Sequence, residues 1–338
     1  MSQIPEPIAP SIADLVDQAH QKRPENPRSH LGASMLGHSC DRWLWLSFRW
    51  AVREEFSGRM LRLFRRGHNE EATVISDLRA IGVDVSDTQA RVDFGAHVSG
   101  STDGVAKIVP GAEKTPHVLE IKTHSKKSFD DLEKHGVMKS KPMHFAQMQV
   151  YMLGLKLERA LYYAVCKDDD RIYTERVKLD KEIAQKLVDR GRRISLSDRM
   201  PPPLSTDPTW YECRFCLAHG FCHKKELPKT FSCRTCAHST AKEDSTWRCE
   251  KHKADGIPVE FQRKGCDQGI IHPDLVSHWT YTPDDRFGVV WHTEHGDISN
   301  GEPDANIYSS SEILANPQAC AKGLAEDFRE KFDARVVG

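Results

Sequence analysis

Hydrophobic and polar positions along the chain switch repeatedly between a period near 3.6 and a period of 2, the marks of helices and half-buried strands. After a Pro-rich start, Ser11–Gln21 fits a short amphipathic helix, and Ser39–Phe48 a second, aromatic-rich helix opened by a single cysteine, Cys40. Leu61, Phe64, Val74, Leu78 and Ile81 predict a long helix over 58–81, in which Gly67 would let backbone pack closely. Residues 84–107 read as a meander of strands, and His97–Val109 and His117–Thr123 read as two adjacent strands. Helices over Ser128–Lys134 and Met143–Leu155 follow, the second with a stripe of Phe145, Met148, Met152 and Leu155. Leu161–Cys166 and Arg171–Val177 predict a hairpin across the acidic turn Asp168–Asp170, and a charged helix over 181–197 stops at Pro201-Pro-Pro203. Beyond Pro273 the pattern gives a β-hairpin, Phe287–His292 with a turn near Gly296, then a helix over Pro317–Arg335 striped by Leu324, Phe328 and Phe332. The middle of the chain is therefore expected to be α+β (α/β), a short mixed sheet flanked by helices.

Chemistry concentrates in Gly100-Ser-Thr-Asp103-Gly104 and Leu119-Glu120-Ile121-Lys122. Period 2 puts Glu120 and Lys122 on one face, at the edge of the sheet, while Leu119 and Ile121 point into a core. Two carboxylates suit a hard divalent ion such as Mg²⁺ or Mn²⁺, and Lys122 would stand beside water or phosphate. The plainer alternative is a surface ion pair, since E-x-K on a strand is common. His68 and Glu71 lie three apart on the long helix, and Gln147 and Tyr151 four apart on a later one, so each pair shares a face. Solvated helix residues and polar boundary residues are the corresponding plain readings. The turn His124-Ser-Lys126-Lys127 could hold phosphate backbone or be an ordinary solvated loop.

In combination, a helix with Arg66-Gly-His68-Asn-Glu-Glu71, then Asp103, then Glu120-Ile-Lys122, then Gln147-Met-Gln-Val-Tyr151, resembles the PD-(D/E)xK nuclease superfamily. The order is similar to its RecB-like branch, which includes the CRISPR-associated RecB-like exonucleases, over roughly residues 30–225. The resemblance implies a restriction-endonuclease-like core and a metal-dependent deoxyribonuclease, most simply an exonuclease. Its substrates would be DNA ends or single strands in recombination, repair or phage DNA metabolism. It implies that Asp103, Glu120, the carbonyl of Ile121 and either His68 or Glu71 hold the Mg²⁺ or Mn²⁺. Lys122 would orient or deprotonate the attacking water, Gln147 would position water or substrate, and Tyr151 would support the DNA. The alternatives are a non-catalytic Fe–S or zinc DNA-binding or assembly protein derived from the same fold, and a redox-responsive iron–sulfur regulator.

At 338 residues the chain suffices for one large or two modest domains, and a net charge of −1 does not advertise nucleic acid. A local basic groove, for which Arg53–Arg66 is a candidate, is still compatible with that total. No apolar run reaches the length of a membrane span and the start lacks a signal-peptide pattern, so a cytoplasmic protein with no membrane partner is expected. A recombination or helicase partner is compatible with the resemblance.

Ten cysteines are many for a reducing compartment, and eight are patterned. Cys213, Cys216 and Cys222 form C-x2-C-x5-C; a [4Fe-4S] cluster with Cys40 as the distant fourth ligand is one solution, and zinc with His219 or His223 is another. The CRISPR-associated and AddB-type nucleases are similar in having one Cys before the core and three after it, which would staple residues 31–225. Cys233-Arg-Thr-Cys236, Cys249 and Cys266, with His238 and His252 nearby, suggest a structural Zn²⁺ module over 230–270, with a second Fe–S centre or no metal as the alternatives. Cys166 and Cys320 read as plain buried thiols. Trp43, Trp45 and Tyr211 are available for base stacking. Residues 1–30 are expected to be an extension, and 271–338 to have a role that no motif discloses.

Overall fold

The computed structural model describes residues 10–22 and 26–332, without the side chains of Phe328 and Phe332. The Pro-rich start, the two phenylalanines of the last stripe and the predicted helix end at Arg335 therefore lie outside the described residues.

In chain order the elements begin with α1 (Ile12–Gln21), β1 (Leu31–Gly32), α2 (Asp41–Phe48) and α3 (Gly58–Ala80). Strands β2 (Asp84–Ser86), β3 (Arg91–Asp93), β4 (Val98–Ser101), β5 (Gly104–Lys107) and β6 (His117–His124) follow. Then come α4 (Lys126–Ser140), α5 (Pro142–Leu155), β7 (Arg159–Cys166), β8 (Ile172–Lys178) and α6 (Lys181–Leu196). The last third holds α7 (Tyr211–Arg214), α8 (His219–Lys224), β9 (Ser239–Ala241), β10 (Trp247–Cys249) and α9 (Val259–Lys264). It closes with β11 (Thr280–Asp284), β12 (Gly288–Thr293), β13 (Gly296–Gly301), β14 (Ile307–Tyr308), α10 (Ser310–Ala315), α11 (Pro317–Ala321) and α12 (Leu324–Phe332).

These elements form two compact units, each assembled from separate stretches of chain. The first takes Met1–Pro27, Glu54–Arg91 and Ser101–Asp180; the second takes Arg28–Arg53, Val92–Gly100 and Lys181–Gly338. In the first, five strands run in the order β2-β5-β6-β7-β8. Every pairing is antiparallel except β6 with β7, which is parallel, and the crossover between them is α4 and α5. Alternation then sorts the faces. Leu119 and Ile121 of β6 and Leu161 and Tyr163 of β7 join Val74 and Leu78 of α3 in one apolar core. The other face carries Glu120, Lys122 and Tyr162 beneath α5.

The mixed α/β architecture matches the expectation, and several details differ from it. The strand expected over His97–Val109 is two strands in two sheets: β4 joins β1 and β3, while β5 joins the five-stranded sheet. The break falls at Thr102, whose N–H bonds the carbonyl of Ala90, and at Asp103, whose side chain caps Ile121. The expected position of Glu120 and Lys122 at a sheet edge is also corrected, because β6 is the central strand. Only the second half of α3 is packed as the periodicity suggests: Val74 and Leu78 are buried, but Phe64 is 46% exposed. Helix α4 is longer than predicted, with a kink at Gly136 where Val137 N–H turns to Glu175 Oε2 at 2.8 Å.

In the second unit, α2 packs on α6. Asp41 accepts from Arg190 Nε at 2.7 Å and from Arg193 Nη2 at 3.0 Å. Arg234 is buried with its guanidinium 4.0 Å from the ring of Trp50 and 5.0 Å from that of Trp247, and it donates to the carbonyls of Phe48 and Ser29 and to Gln262. The expected C-terminal hairpin is a four-stranded sheet, β11-β12-β13-β14. The outer strands are hard to read because one carries Pro283 and the other has two residues. The single helix expected over Pro317–Arg335 is divided into α11 and α12 at Gly323, whose φ of +72° is left-handed. Among the described residues no helix is long and apolar enough to cross a membrane.

Candidate active site

Asp103, Glu120 and Lys122 meet because β5 and β6 pair with Gly104 opposite Leu119. Asp103 Oδ2 accepts the N–H of Ile121 at 2.7 Å, which fixes its carboxylate against β6. Ile121 thus meets Asp103 through its amide, while its side chain stays in the core. Glu120 has no solvent exposure and forms an ion pair with Lys122 through Oε1, so the surface ion pair of the plain reading does not apply. Its other oxygen, Oε2, has no hydrogen-bond partner among the described residues. Burial pushes its carboxyl up to about 7; Lys122 opposes that shift, and Asp103 and Glu71 add to it. Burial works against the charge on Lys122 too, but the carboxylates of Glu120 and Asp103 prevail and hold it above the usual lysine range.

Helix α3 passes this end of β6, where a Cβ on Gly67 would lie 3.8 Å from Thr123 Oγ1, so its lack of a side chain is not demanded by close packing. Glu71 is half-buried, and burial first, then Asp103 as a like charge, raise its pKa. His68 is 77% exposed on its side chain and reaches Glu71 at 3.5 Å. Of the two helix candidates, Glu71 is therefore the one near the carboxylates.

From the sheet's other side α5 contributes Gln147 and Tyr151, both buried, with Gln147 Nε2 3.4 Å from the Tyr151 hydroxyl. Burial, then the neighbouring Glu120, pushes Tyr151 up to about 12, so it stays a neutral hydroxyl. Gln149, the other glutamine of the motif, is taken up by Lys178 O at 2.9 Å and the Asp180 amide at 2.7 Å, a structural role. One group escaped the sequence reading. Tyr162 OH sits 2.9 Å from His124 Nε2 and 2.8 Å from His144 Nδ1, with Ser128 Oγ 3.3 Å from His124 Nδ1. The signal available was His144 three residues before Gln147; His124 itself ends β6, buried, and is no part of a loose turn. Lys126 and Lys127 open α4, and Lys126 is tied to Asp168 and Asp130.

In the second unit Cys40, Cys213, Cys216 and Cys222 line one cavity, together with His219 and His223 of the zinc alternative. Cys40 caps α2, its Sγ accepting the Trp43 N–H at 3.4 Å, and Cys216 Sγ accepts the Ala218 N–H at 3.4 Å. Trp45 is fully buried, its indole bonded to Ser197 O at 2.8 Å, so it has no face for stacking; Tyr211 is 64% exposed. Cys233 and Cys236 flank a one-turn 3-10 helix, and Cys236 Sγ accepts the His238 N–H at 3.4 Å. Cys249 ends β10, and Cys266 Sγ lies 3.9 Å from His252 Nε2. Burial pushes Cys233 up to about 11 and Cys236 to about 12. Among the described residues no three His, Cys, Asp or Glu side chains already stand in a metal-binding arrangement.

No family model and no curated protein matches the chain. Among solved structures it is similar to the protein SSO0001, at 14% identity and a TM-score of 0.40 over 64% of this chain and 98% of that one. It is similar also to LHK-Exo, an alkaline exonuclease from Laribacter hongkongensis, at 16% identity and a TM-score of 0.33 over 53% of this chain and 89% of that one. A phage-related exonuclease from Haemophilus somnus 129PT gives 19% identity and a TM-score of 0.28 over 39% of this chain and 70% of that one. At such scores and identities these likenesses decide nothing about activity.

Proposed function

We propose that the first unit is a metal-dependent nuclease acting on DNA, of the exonuclease type, with its site at Asp103, Glu120 and Lys122. The observation that carries the reading is the buried Glu120 carboxylate, paired to Lys122 through Oε1 and set near two further carboxylates, Asp103 and Glu71. One ammonium does not balance three neighbouring carboxylates, and a divalent cation would. The oxygen-only donor set of Asp103, Glu120 and Glu71 suits Mg²⁺ or Mn²⁺, which when bound would supply Lewis acidity and lower the pKa of water.

This chain's own groups define the rest. Lys122, held protonated, is a fixed positive charge for the phosphate and its developing negative charge, which favours orienting the water over deprotonating it. Tyr151 and Gln147 are neutral groups able to bond water or strand. Water attacks phosphorus as one P–O ester bond breaks; its proton passes to solvent, and the departing oxygen takes one up to leave as a sugar hydroxyl.

For the second unit we propose that Cys40, Cys213, Cys216 and Cys222 hold a [4Fe-4S] cluster, on the ground that four thiols line one cavity and two accept backbone N–H bonds. The pairing of Cys233-Arg-Thr-Cys236 with Cys249 and Cys266 supports a structural Zn²⁺ site by the same chemistry, the Cys236 turn repeating the N–H to sulfur bond of Cys216.

The test is degradation of end-labelled single- and double-stranded DNA with Mg²⁺ or Mn²⁺. Asp103→Ala, Glu120→Ala and Lys122→Ala, each checked for native circular dichroism, are expected to lose at least about a hundredfold in rate. Wild-type protein that binds DNA but cleaves neither form would move the reading to a DNA-binding or assembly protein. Analysis for iron, acid-labile sulfide and zinc tests the cysteine sites separately.

A further inference from the structure

We propose that His144 is a substrate-binding residue, offering Nε2 to a phosphate oxygen of the bound strand, and that Tyr162, His124 and Ser128 are positioning residues that hold its ring. The proposal rests on the nuclease reading and adds a residue to it.

Three observations lead there. His144, Gln147 and Tyr151 stand at i, i+3 and i+7 on α5, so the imidazole shares the helix face that meets the candidate site. Second, Tyr162 is the cross-strand partner of Glu120, so the hydroxyl gripping His144 is carried one strand over from the buried carboxylate, on the same face of the sheet. Third, the contacts form one chain: Ser128 Oγ to His124 Nδ1 at 3.3 Å, His124 Nε2 to Tyr162 OH at 2.9 Å, Tyr162 OH to His144 Nδ1 at 2.8 Å. The two imidazoles stack with centroids 5.7 Å apart.

A phenol has one proton, so it donates to one imidazole and accepts from the other. If Ser128 donates at the far end, Tyr162 donates to His144 Nδ1 and the free Nε2 carries the outward N–H. Nε2 makes no hydrogen bond among the described residues, and the side chain is half-buried. Burial and the surrounding lysines keep both rings neutral: His124 is held down to about 4 and His144 to about 3, the latter by burial and then Lys122, His124 and Lys141. A neutral donor set beside Lys122 matches the oxygens of a phosphodiester, and a ring locked at its other nitrogen is pre-organised for that contact. The competing account is that the chain of bonds only ties β7 to α5.

Two substitutions separate the accounts, since an Asn amide takes the place of Nδ1 and a Gln amide that of Nε2. His144→Asn keeps a partner for Tyr162 and removes the outward donor; His144→Gln does the reverse. The measurements are KM for cleavage of single-stranded DNA, anisotropy of a fluorescent oligo-dT strand bound to each protein, and the thermal midpoint. We expect His144→Asn to weaken strand binding and raise KM by about ten- to a hundredfold with an unchanged midpoint, the cost of one hydrogen bond to a charged group. His144→Gln should stay within about threefold of wild type in KM, and Tyr162→Phe should weaken binding less than His144→Asn. Wild-type binding and KM in His144→Asn would overturn the proposal. Absence of cleavage by wild type would sink the nuclease reading, whereas strand binding by the His144 variants still decides the contact.

Discussion

A carboxyl group with no exposure and two like charges nearby, as at Glu120, resists ionisation, and this has consequences in solution. Its folded pKa of about 7 lies above the ordinary 4.5, so between those values the folded chain keeps a proton that the unfolded chain has lost. This group's contribution to stability is therefore full at low pH and falls as pH rises through that window. A divalent ion should remove the penalty by binding the ionised form. We expect Mg²⁺ or Mn²⁺ to raise the thermal midpoint of wild type more at pH 8 than at pH 5, and to do little for Glu120→Gln; an equal rise in that variant would place the ion elsewhere. Cleavage should likewise increase from pH 6 to pH 8, with the acid limb moving lower as metal concentration rises. At this scale much was readable beforehand. Alternation put Glu120 and Lys122 together, and helical spacing joined Gln147 to Tyr151. Full burial of Glu120 was not readable, because it depends on β6 being central, a matter of which distant strands pair. The same spacing turns Gln149 to another face, but its partners there, Lys178 and Asp180, come from a later strand and its end and were not readable.

Among the elements, α6 and α3 carry glycines of opposite meaning. A Cβ at Gly191 of α6 would lie 2.7 Å from Leu36 Cδ2 and 3.1 Å from Val98 Cγ2, so the helix sits against its neighbours through that gap. Gly191→Ala should cost about 1–3 kcal/mol, as overpacking does. At Gly67 of α3 the space is open and the φ is helical, so Gly67→Ala should be neutral or gain up to about 1 kcal/mol from helix propensity. Chemical denaturation of both variants checks the pair, and equal effects would refute the packing argument. Element types in the five-stranded sheet and its crossover helices followed well from periodicity. The break at Thr102 did not: Gly100, Asp103 and Gly104 are weak strand formers, but the hydrogen bonds to Ala90 and Ile121 that divide the two strands depend on distant pairing. The first half of α3 looked like packed helix, yet Phe64 meets Phe56 edge-on at 4.8 Å and keeps much of its ring exposed.

For the whole molecule, the cysteine sites are where sequence distance and spatial distance part most. Cys40 and Cys213 belong to one unit although the chain makes the entire five-stranded sheet between them. A bound cluster would close that long loop and restrict the unfolded chain accordingly. Cys213→Ser should therefore lose iron and sulfide and melt at a lower temperature, while zinc content persists; loss of zinc alone would exchange the two assignments. Cysteine spacing made both groups visible from the sequence. The interleaving of the two units was invisible, because no composition shift marks the passages at residues 27, 53, 91, 100 and 180.

That interleaving also bears on the order in which a newly made chain can settle. When residue 180 has left the ribosome, every strand of the five-stranded sheet exists, but α2, with Trp45 fully buried in the finished unit, still lacks α6. Nascent chains halted once Asp180 has cleared the exit tunnel should resist protease across 101–180 and be cut within 28–53, whereas the released chain should be protected in both. For much of its synthesis the protein would thus hold an aromatic segment open to solvent, a window in which chaperones have something to grip.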